Sequence, residues 1–188
     1  MPKYFFLLIL FLFAIGNLFA QSEMPIAFEE KLSKASIEIL IPLENKYKPI
    51  GVHSTPYMPY DYALRSKKGK LEIRYSIKIF EDSTSAVNQV PHLQCMNTLT
   101  NIASNHEEAV TTIHSIADSD LEEHFNADWG MVAYLQPKQT FGDYKHCKML
   151  ALFKEGKAMT YVYFLFDEAS IELDNRFHAI QFLEDNPK

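Results

Sequence analysis

The sequence predicts an α+β fold built on a mostly antiparallel sheet, and three segments carry this prediction. Leu71–Ile79 alternates apolar and polar side chains without a break, which indicates an antiparallel strand with one wetter face. Met159–Phe166 is apolar or aromatic on both faces, as in a central strand covered on both sides. Between them, apolar side chains recur at the helical spacing, at Leu93, Met96, Leu99, Ile102 and Ala103.

Length and composition limit the possible classes of protein. The chain has 188 residues, of which 47% are hydrophobic and 22% charged, so it is neither disordered nor a multi-span membrane protein. Its net charge of −6 argues against nucleic acid as a partner, since that partner needs a positive field. We expect a signal peptide at residues 1–20 and a single α+β domain at residues 21–188.

The amino-terminal segment has the order of a secretory leader. Lys3 precedes the apolar run Tyr4–Ile15, and the small residue Ala20 stands before Gln21. This order predicts a signal peptide cut after Ala20 and therefore a secreted or periplasmic protein with no stable membrane span after cleavage. An uncleaved anchor is the alternative, although Tyr4–Ala20 is short for a bilayer-spanning helix.

The first half of the mature chain reads as short strands joined by a long loop. Ser36–Ile41 alternates and stops at Pro42, as a short strand does. Pro42–Pro59 contains four prolines, which favours a long irregular connection. Ser66–Gly69 is typical of a hairpin turn and would pair Tyr60–Arg65 with the strand at Leu71–Ile79.

The second half begins with a helix and becomes rich in strands. Pro91 suits the first turn of the helix, whereas residues 107–117 fit either a helix or a strand. Ser119–Glu122 has the pattern of a capping box that opens a short helix. Three strands should follow, at Gly130–Leu135, His146–Phe153 and Ala158–Asp167, with a hairpin turn at Glu155–Lys157. The apolar residues Leu173, Phe177 and Ile180 predict a terminal amphipathic helix.

Common catalytic and cofactor motifs do not occur in this sequence. The glycines are too widely spaced for a dinucleotide fingerprint or a phosphate-binding loop. No serine has glycines two places to either side, and His106-Glu107-Glu108 lacks the second histidine of a zinc-protease helix. The sequence therefore predicts no catalytic residue, no metal site and no cofactor.

Two cysteines, Cys95 and Cys147, leave two alternatives open. In an oxidising compartment they could form a disulfide, and the competing interpretation is a pair of buried free thiols. His92 lies three residues before Cys95, so one helix face could hold a thiolate–imidazole pair. No local third group orients such a pair, and packing is the favoured role.

Other groups of residues are candidates for binding. Tyr57, Tyr60 and Tyr62 stand among prolines and could form the rim of a ligand groove, since tyrosine often serves binding surfaces. A loop folded over one end of the sheet is the alternative. The acidic stretch from Asp118 to Asp128 offers metal ligands but lacks the central glycine of a calcium loop. Four basic residues, Arg65, Lys67, Lys68 and Lys70, lie in or beside the predicted turn, and we expect it to be a solvated turn.

The order of these elements resembles the PsbP-like fold, which is shared by photosystem extrinsic proteins and the Ran-binding Mog protein. The resemblance spans roughly Ser33–Glu184 and includes Phe125–Gly130, Glu155–Lys157 and the closing His178–Phe182. Tyr144–Asp167 and Asn126–Trp129 are also similar to uncharacterised exported proteins of Bacteroidetes-type bacteria. The resemblance implies an α/β/α sandwich, a sheet covered by helices, with a binding or assembly role and no catalysis. It transfers no functional residue to this chain.

Three functions are compatible with these observations. The first is an exported, non-catalytic binding or assembly module whose partner protein is unknown. The second is a carrier of a small apolar ligand, held in a pocket between the strand Tyr161–Phe166 and the loop Pro42–Pro59. The third is a hydrolase or thiol enzyme whose site is assembled from residues that are distant in sequence.

Overall fold

A computed structural model describes residues 24–40, 46–53, 55–68, 71–80 and 90–184. The leader predicted at residues 1–20 lies outside the described residues. The helices are α1 (Ile26–Ala35), α2 (Pro91–Ile102), the short α3 (Asp118–Asp120), which continues into a π-helical turn (Leu121–Phe125), and α4 (Ile171–Phe177). The strands are β1 (Ile37–Ile39), β2 (Tyr47–Pro49), β3 (Tyr62–Ser66), β4 (Leu71–Ile79), β5 (Thr112–Ser115), β6 (Trp129–Leu135), β7 (His146–Lys154), β8 (Ala158–Phe166) and β9 (Ile180–Phe182).

The main sheet has seven strands in the order β2-β3-β4-β8-β7-β6-β5, and every neighbouring pair is antiparallel. The predicted central strand β8 is the middle strand, and all nine of its residues are buried. A separate two-stranded sheet joins β1 to β9, with Ile37 opposite Phe182. These pairings confirm the predicted α+β fold with a mostly antiparallel sheet.

One face of the main sheet is covered by α1, the π-helical turn, α4 and the small sheet. Helix α1 turns Phe28, Leu32 and Ala35 towards the sheet, the spacing that one helix face requires. Phe28 stacks on Tyr62 with ring centroids 5.0 Å apart. Burial of each large apolar side chain contributes roughly 1.5–3 kcal/mol, so this layer supplies much of the stability.

The other face is covered by α2 and by the loop that follows β6. Cys95, Leu99 and Ile102 of α2 pack on this face together with Phe141 of the loop. The sheet is thus enclosed between two layers that contain helices, as an α/β/α sandwich requires. Among the helices of the described residues, none has the length and apolar character that a membrane crossing needs.

Two element predictions were wrong in detail, one segment was open between helix and strand in the sequence, and strand pairing explains each case. The loop predicted at Pro42–Pro59 contains β2, because Tyr47–Pro49 pairs along β3 at the sheet edge, where proline is tolerated. The open segment 107–117 contains β5, at the opposite edge. The predicted terminal helix ends at Phe177, since Ile180 belongs to β9 and pairs with β1.

The helix predicted from the capping box at Ser119–Glu122 begins earlier than that pattern suggests. Ala117 is the residue that precedes the helix, and it makes no side-chain hydrogen bond to the first turn. Leu121, the first residue of the π-helical turn, packs closely on Gly130. A Cβ atom on Gly130 would lie 2.5 Å from Leu121 Cδ2, so this packing requires a glycine. On α2, Leu93 and Met96, which belong to the predicted helical pattern of apolar side chains, are exposed.

Candidate functional site

The polar face of β4 is buried from Glu72 to Ser76, in contrast to the wetter face that alternation predicts, and only Lys78 at its end is exposed. Glu72 is 1% exposed and Arg74 is 8% exposed, and Ser76 is equally enclosed. Their cross-strand partners on β8 are Leu165, Tyr163 and Tyr161, which belong to the apolar layer beneath α2. A buried charge without a partner would strongly destabilise the fold. The contacts of Glu72 and Arg74 therefore show which parts of the chain these charges hold in place.

The Glu72 carboxylate accepts hydrogen bonds from three side chains. Arg65 Nη2 lies 2.6 Å from Oε2, and Arg74 Nη2 lies 2.6 Å from Oε1. The Tyr144 hydroxyl donates to Oε2 at 3.0 Å. We call Glu72, Arg65, Arg74 and Tyr144 the Glu72 cluster. Charged donors make such bonds shorter and stronger than neutral ones.

The charge state of the cluster follows from these contacts. Burial acts to raise the pKa of Glu72, but the hydrogen bonds and charges of Arg65 and Arg74, with the Tyr144 bond, hold the pKa below its usual value. Glu72 is therefore a carboxylate at neutral pH, and the cluster carries one net positive charge from its two arginines. Burial and the adjacent Glu72 raise the pKa of Tyr144, which keeps its hydroxyl protonated as a donor.

Arg74 also connects β4 to the loop after β6, residues 136–145, which we call the cleft loop. Its guanidinium lies between the rings of Tyr60 and Phe141, 4.7 and 4.8 Å from their centroids. Arg74 Nη1 also donates to the Phe141 carbonyl. Tyr144 forms the second connection, so the cleft loop is fixed at two points, at Phe141 by Arg74 and at Tyr144 by the Glu72 carboxylate.

A cleft of about 500 Å³ opens between the end of α2 and the cleft loop. Most of the residues that line it have polar side chains, namely Ser104, Asn105, His106, Gln136, Lys138, Gln139, Thr140, Asp143 and Tyr144, and the others are Pro137 and Gly142. Tyr144 belongs to both the cleft and the Glu72 cluster. The cleft loop is further braced by hydrogen bonds from Phe141 N and Gly142 N to Lys138 O, at 2.8 and 3.1 Å.

The predicted acidic stretch lines a second cleft, of about 370 Å³, beside the π-helical turn. Lys154 Nζ enters it, donating to Asn126 Oδ1 at 2.8 Å and lying 3.7 Å from Asp128 Oδ1. Asp128 Oδ2 also accepts from Glu155 N. These oxygens bind protein groups, and the described residues contain no cluster of three or more side chains that could hold a metal ion.

The three tyrosines proposed as a ligand rim lie in different environments. Tyr57 is 75% exposed, whereas Tyr60 and Tyr62 are buried. Tyr62 stacks on Phe28 beneath α1. The Tyr60 hydroxyl accepts a hydrogen bond from His53 N, and its ring stacks on Arg74. Tyr60 therefore supports the Glu72 cluster, and only Tyr57 of the three presents its ring to solvent.

Both cysteines are buried free thiols in the structure, and they lie in the same apolar layer. Burial raises the pKa of Cys95 and of Cys147 to about 12. Because the thiolate is the reactive form, neither group is a nucleophile at neutral pH. His92 is exposed on α2 while Cys95 is buried, and His146 and Cys147 point to opposite sides of β7.

Sequence reasoning missed the Glu72 cluster, although one signal was available. The predicted hairpin pairs Tyr60–Arg65 with the strand at Leu71–Ile79, and the observed register places Arg65 opposite Glu72. Opposite charges at cross-strand positions, next to a strand predicted to be covered on both faces, indicate a buried ion pair. Tyr144 is distant in sequence and gave no local signal.

The chain matches no family model and no curated protein. Among solved structures, the chain is similar to the solution structure of cyanobacterial PsbP (CyanoP) from Synechocystis sp. PCC 6803. The identity is 12% and the TM-score 0.44, and the match covers 80% of this chain and 89% of that chain. The likeness to exported Bacteroidetes-type proteins stays a prediction.

Proposed function

We propose that the chain is an exported, non-catalytic binding module that holds a small polar ligand in the cleft at Ser104–His106 and the cleft loop. The observation that carries this proposal is the Glu72 cluster, which fixes the loop lining that cleft. Export is supported by the leader predicted at residues 1–20.

The energetics of the cluster favour a role in positioning. Moving charged groups out of water carries a penalty of several kcal/mol per ion, and well-packed apolar residues often give equal or greater stability. A buried ion cluster is thus weak evidence for stability alone. Here Arg74 and Glu72 connect β4 to one loop, through Phe141 and Tyr144, and they hold the polar lining of the cleft in a fixed geometry before a ligand arrives.

The lining of the cleft suggests the chemistry of the ligand. Amides such as Asn105, Gln136 and Gln139 donate and accept hydrogen bonds, as do the hydroxyls of Ser104 and Thr140. Lys138 and Asp143 bring charges of opposite sign, so the cleft has no strong preference for ionic ligands. A small neutral molecule with several hydroxyl or amide groups fits this donor and acceptor set.

An apolar-ligand carrier and a thiol enzyme have less support. Every residue of Tyr161–Phe166 is buried inside the protein. The two described clefts are lined by many polar residues. The pKa of each cysteine, raised to about 12 by burial, argues against a thiol nucleophile.

The proposal is tested by nuclear magnetic resonance titration of the mature chain with a panel of mono- and disaccharides and uncharged dipeptides. We expect at least one probe to shift amide signals mainly at residues 104–106 and 136–144. A Gln139→Ala/Thr140→Ala variant should weaken that binding about thirtyfold, because it removes two hydrogen bonds that contribute about 1 kcal/mol each. The control Asn97→Ala, an exposed change on α2, should leave it unchanged. Absence of any localised response across the panel contradicts the proposal.

A further inference from the structure

The two edges of the main sheet differ in how they are protected against pairing with another chain. At one edge, β2 is three residues long and contains Lys48 and Pro49, both typical of protected edges. At the other edge, β5 (Thr112–Ser115) contains neither a formally charged residue nor a proline, and all four of its residues are exposed. No described strand lies on its outer side.

The register shows which backbone groups of β5 face outwards. Ile116 N donates to Gly130 O at 3.1 Å, and β5 continues this register along β6. Since successive residues of an antiparallel strand alternate between bonding inwards and outwards, Ile113 and Ser115 direct their N–H and C=O groups to the open edge. No backbone hydrogen bond among the described residues uses these outward groups.

Exposed apolar side chains accompany the open edge. Val110 is 75% exposed and Ile113 is 40% exposed, and the neighbouring strand β6 adds Tyr134, which is also exposed. An extended peptide added to a sheet edge obtains affinity from main-chain hydrogen bonds and specificity from contacts with alternate side chains. The edge of β5 offers both kinds of contact.

Charges at the two ends of β5 indicate which partner fits. Glu107 and Glu108 precede the strand, and Asp118 and Asp120 follow it, all of them exposed. A second copy of the chain paired through β5 would bring acidic ends against acidic ends, in either strand direction. A peptide with basic ends around an uncharged centre meets opposite charge at both ends.

We propose that the outer edge of β5 binds an extended peptide segment with a short uncharged centre and Lys or Arg at both ends, which adds as a further strand of the sheet. The surface lies outside the polar cleft, since none of the cleft-lining residues belongs to β5. The inference therefore does not depend on what the cleft binds.

The test uses a labelled synthetic peptide, Lys-Lys-Val-Thr-Val-Thr-Lys-Lys, and fluorescence anisotropy with the mature chain. We expect saturable binding and slower hydrogen exchange of the Ile113 and Ser115 amides in the complex. A peptide with N-methylated central residues, and one with Glu in place of each Lys, should bind at least about tenfold more weakly. Equal binding of the N-methylated peptide overturns the strand-addition geometry.

Two charge-reversal variants localise the interaction. Glu107→Lys/Glu108→Lys should weaken binding of the basic peptide by about tenfold, on the scale of a few exposed charge pairs. Glu29→Lys/Glu30→Lys changes the net charge by the same amount on exposed residues of α1 and should leave binding unchanged. Equal losses in both variants mean non-specific attraction to an acidic chain, and they overturn the proposal.

A third variant addresses the edge itself. Ile113→Lys places a charge of the kind that natural edge strands use against pairing, and it should abolish peptide binding while the far-ultraviolet circular dichroism stays unchanged. A chain that sediments as a dimer, and becomes monomeric with Ile113→Lys, identifies a second copy as the occupant and overturns the peptide proposal. The cleft variant Gln139→Ala/Thr140→Ala should bind the peptide normally, so failure at the cleft and failure at the edge are distinguishable.

Discussion

Over residues 71–77, both faces of β4 are buried, and they are chemically opposite. On one face, Leu71, Ile73 and Tyr75 pack beneath α1 in a continuous apolar layer. On the other, Glu72 and Arg74 are enclosed beneath the cleft loop and bind each other. The apolar face stabilises the fold through contacts that many side chains share. The charged face directs one loop to one position, and a small number of hydrogen bonds carry that effect.

The largest expected effect comes from removing one charge of the buried pair. Glu72→Ala should lower the free energy of unfolding by about 3–5 kcal/mol, because Arg74 is left buried without its carboxylate. Urea unfolding followed by circular dichroism measures this change. The matched variant on the apolar face, Ile73→Val, should cost only about 0.5–1.5 kcal/mol. Similar losses in the two variants would remove the distinction between the faces.

A tight contact on the α1 side should give the next largest effect. A Cβ atom on Gly130 would lie 2.5 Å from Leu121 Cδ2 and 3.0 Å from Ile116 Cδ1. Gly130→Ala should therefore destabilise the fold by about 1–3 kcal/mol through overpacking. Its control is Gly142→Ala in the cleft loop, where the nearest atom, Arg74 Nη2, is 3.4 Å from the built Cβ. Thermal unfolding should show the larger loss for Gly130→Ala, and the reverse order contradicts the packing argument.

Removal of one hydrogen bond of the cluster should have a smaller effect. Tyr144→Phe deletes the donor to Glu72 Oε2 and keeps the ring, so the expected loss of stability is about 1 kcal/mol. The same variant should lower the binding free energy of a cleft ligand by more than it lowers the free energy of unfolding. Urea unfolding and ligand titration of the same protein preparation measure the loss of stability and the loss of affinity. A ligand affinity that stays constant would show that Tyr144 does not position the cleft.

The smallest expected effect is a dependence of stability on pH. The pKa of Glu72 is lower in the folded chain than its usual value of 4.5, so folding favours the ionised form. The stability from this group is present above the unfolded pKa and is lost as the pH falls through the folded pKa. Between pH 6 and about pH 3, the wild type should therefore lose more stability than Glu72→Gln. Parallel curves for the two proteins would contradict the assignment.

The sequence predicted the apolar face far better than the charged one. The alternation of Leu71–Ile79 and the aromatic strand β8 indicated the sheet and its central strand, because hydrophobic periodicity records which side chains are buried. The same alternation predicted a wet face at Glu72 and Arg74. Periodicity cannot show that a distant loop covers polar side chains, and the partners Phe141 and Tyr144 come from beyond two further strands of the chain.

The sheet edges show the same limit of local reasoning. Residues 107–117 have mixed helical and strand preferences, and pairing with β6 makes Thr112–Ser115 a strand. Tyr57, Tyr60 and Tyr62 look alike in sequence, yet only Tyr57 is exposed. The burial of Tyr60 depends on Arg74 of β4, which is a tertiary contact. The tyrosines and nearby prolines suggested a binding surface, but the sequence did not show which tyrosine ring would be exposed to solvent.

The central claim is that the Glu72 cluster positions the cleft loop while the apolar layers hold the fold, and the double variant Glu72→Met/Arg74→Met tests it most directly. Replacing both charges with apolar side chains should keep stability within about 1 kcal/mol of the wild type. Hydrogen exchange should then be about tenfold faster or more at the Phe141 and Gly142 amides and unchanged at Leu150 in the sheet. Equal changes at all three amides, or none at Phe141 and Gly142, would contradict the claim.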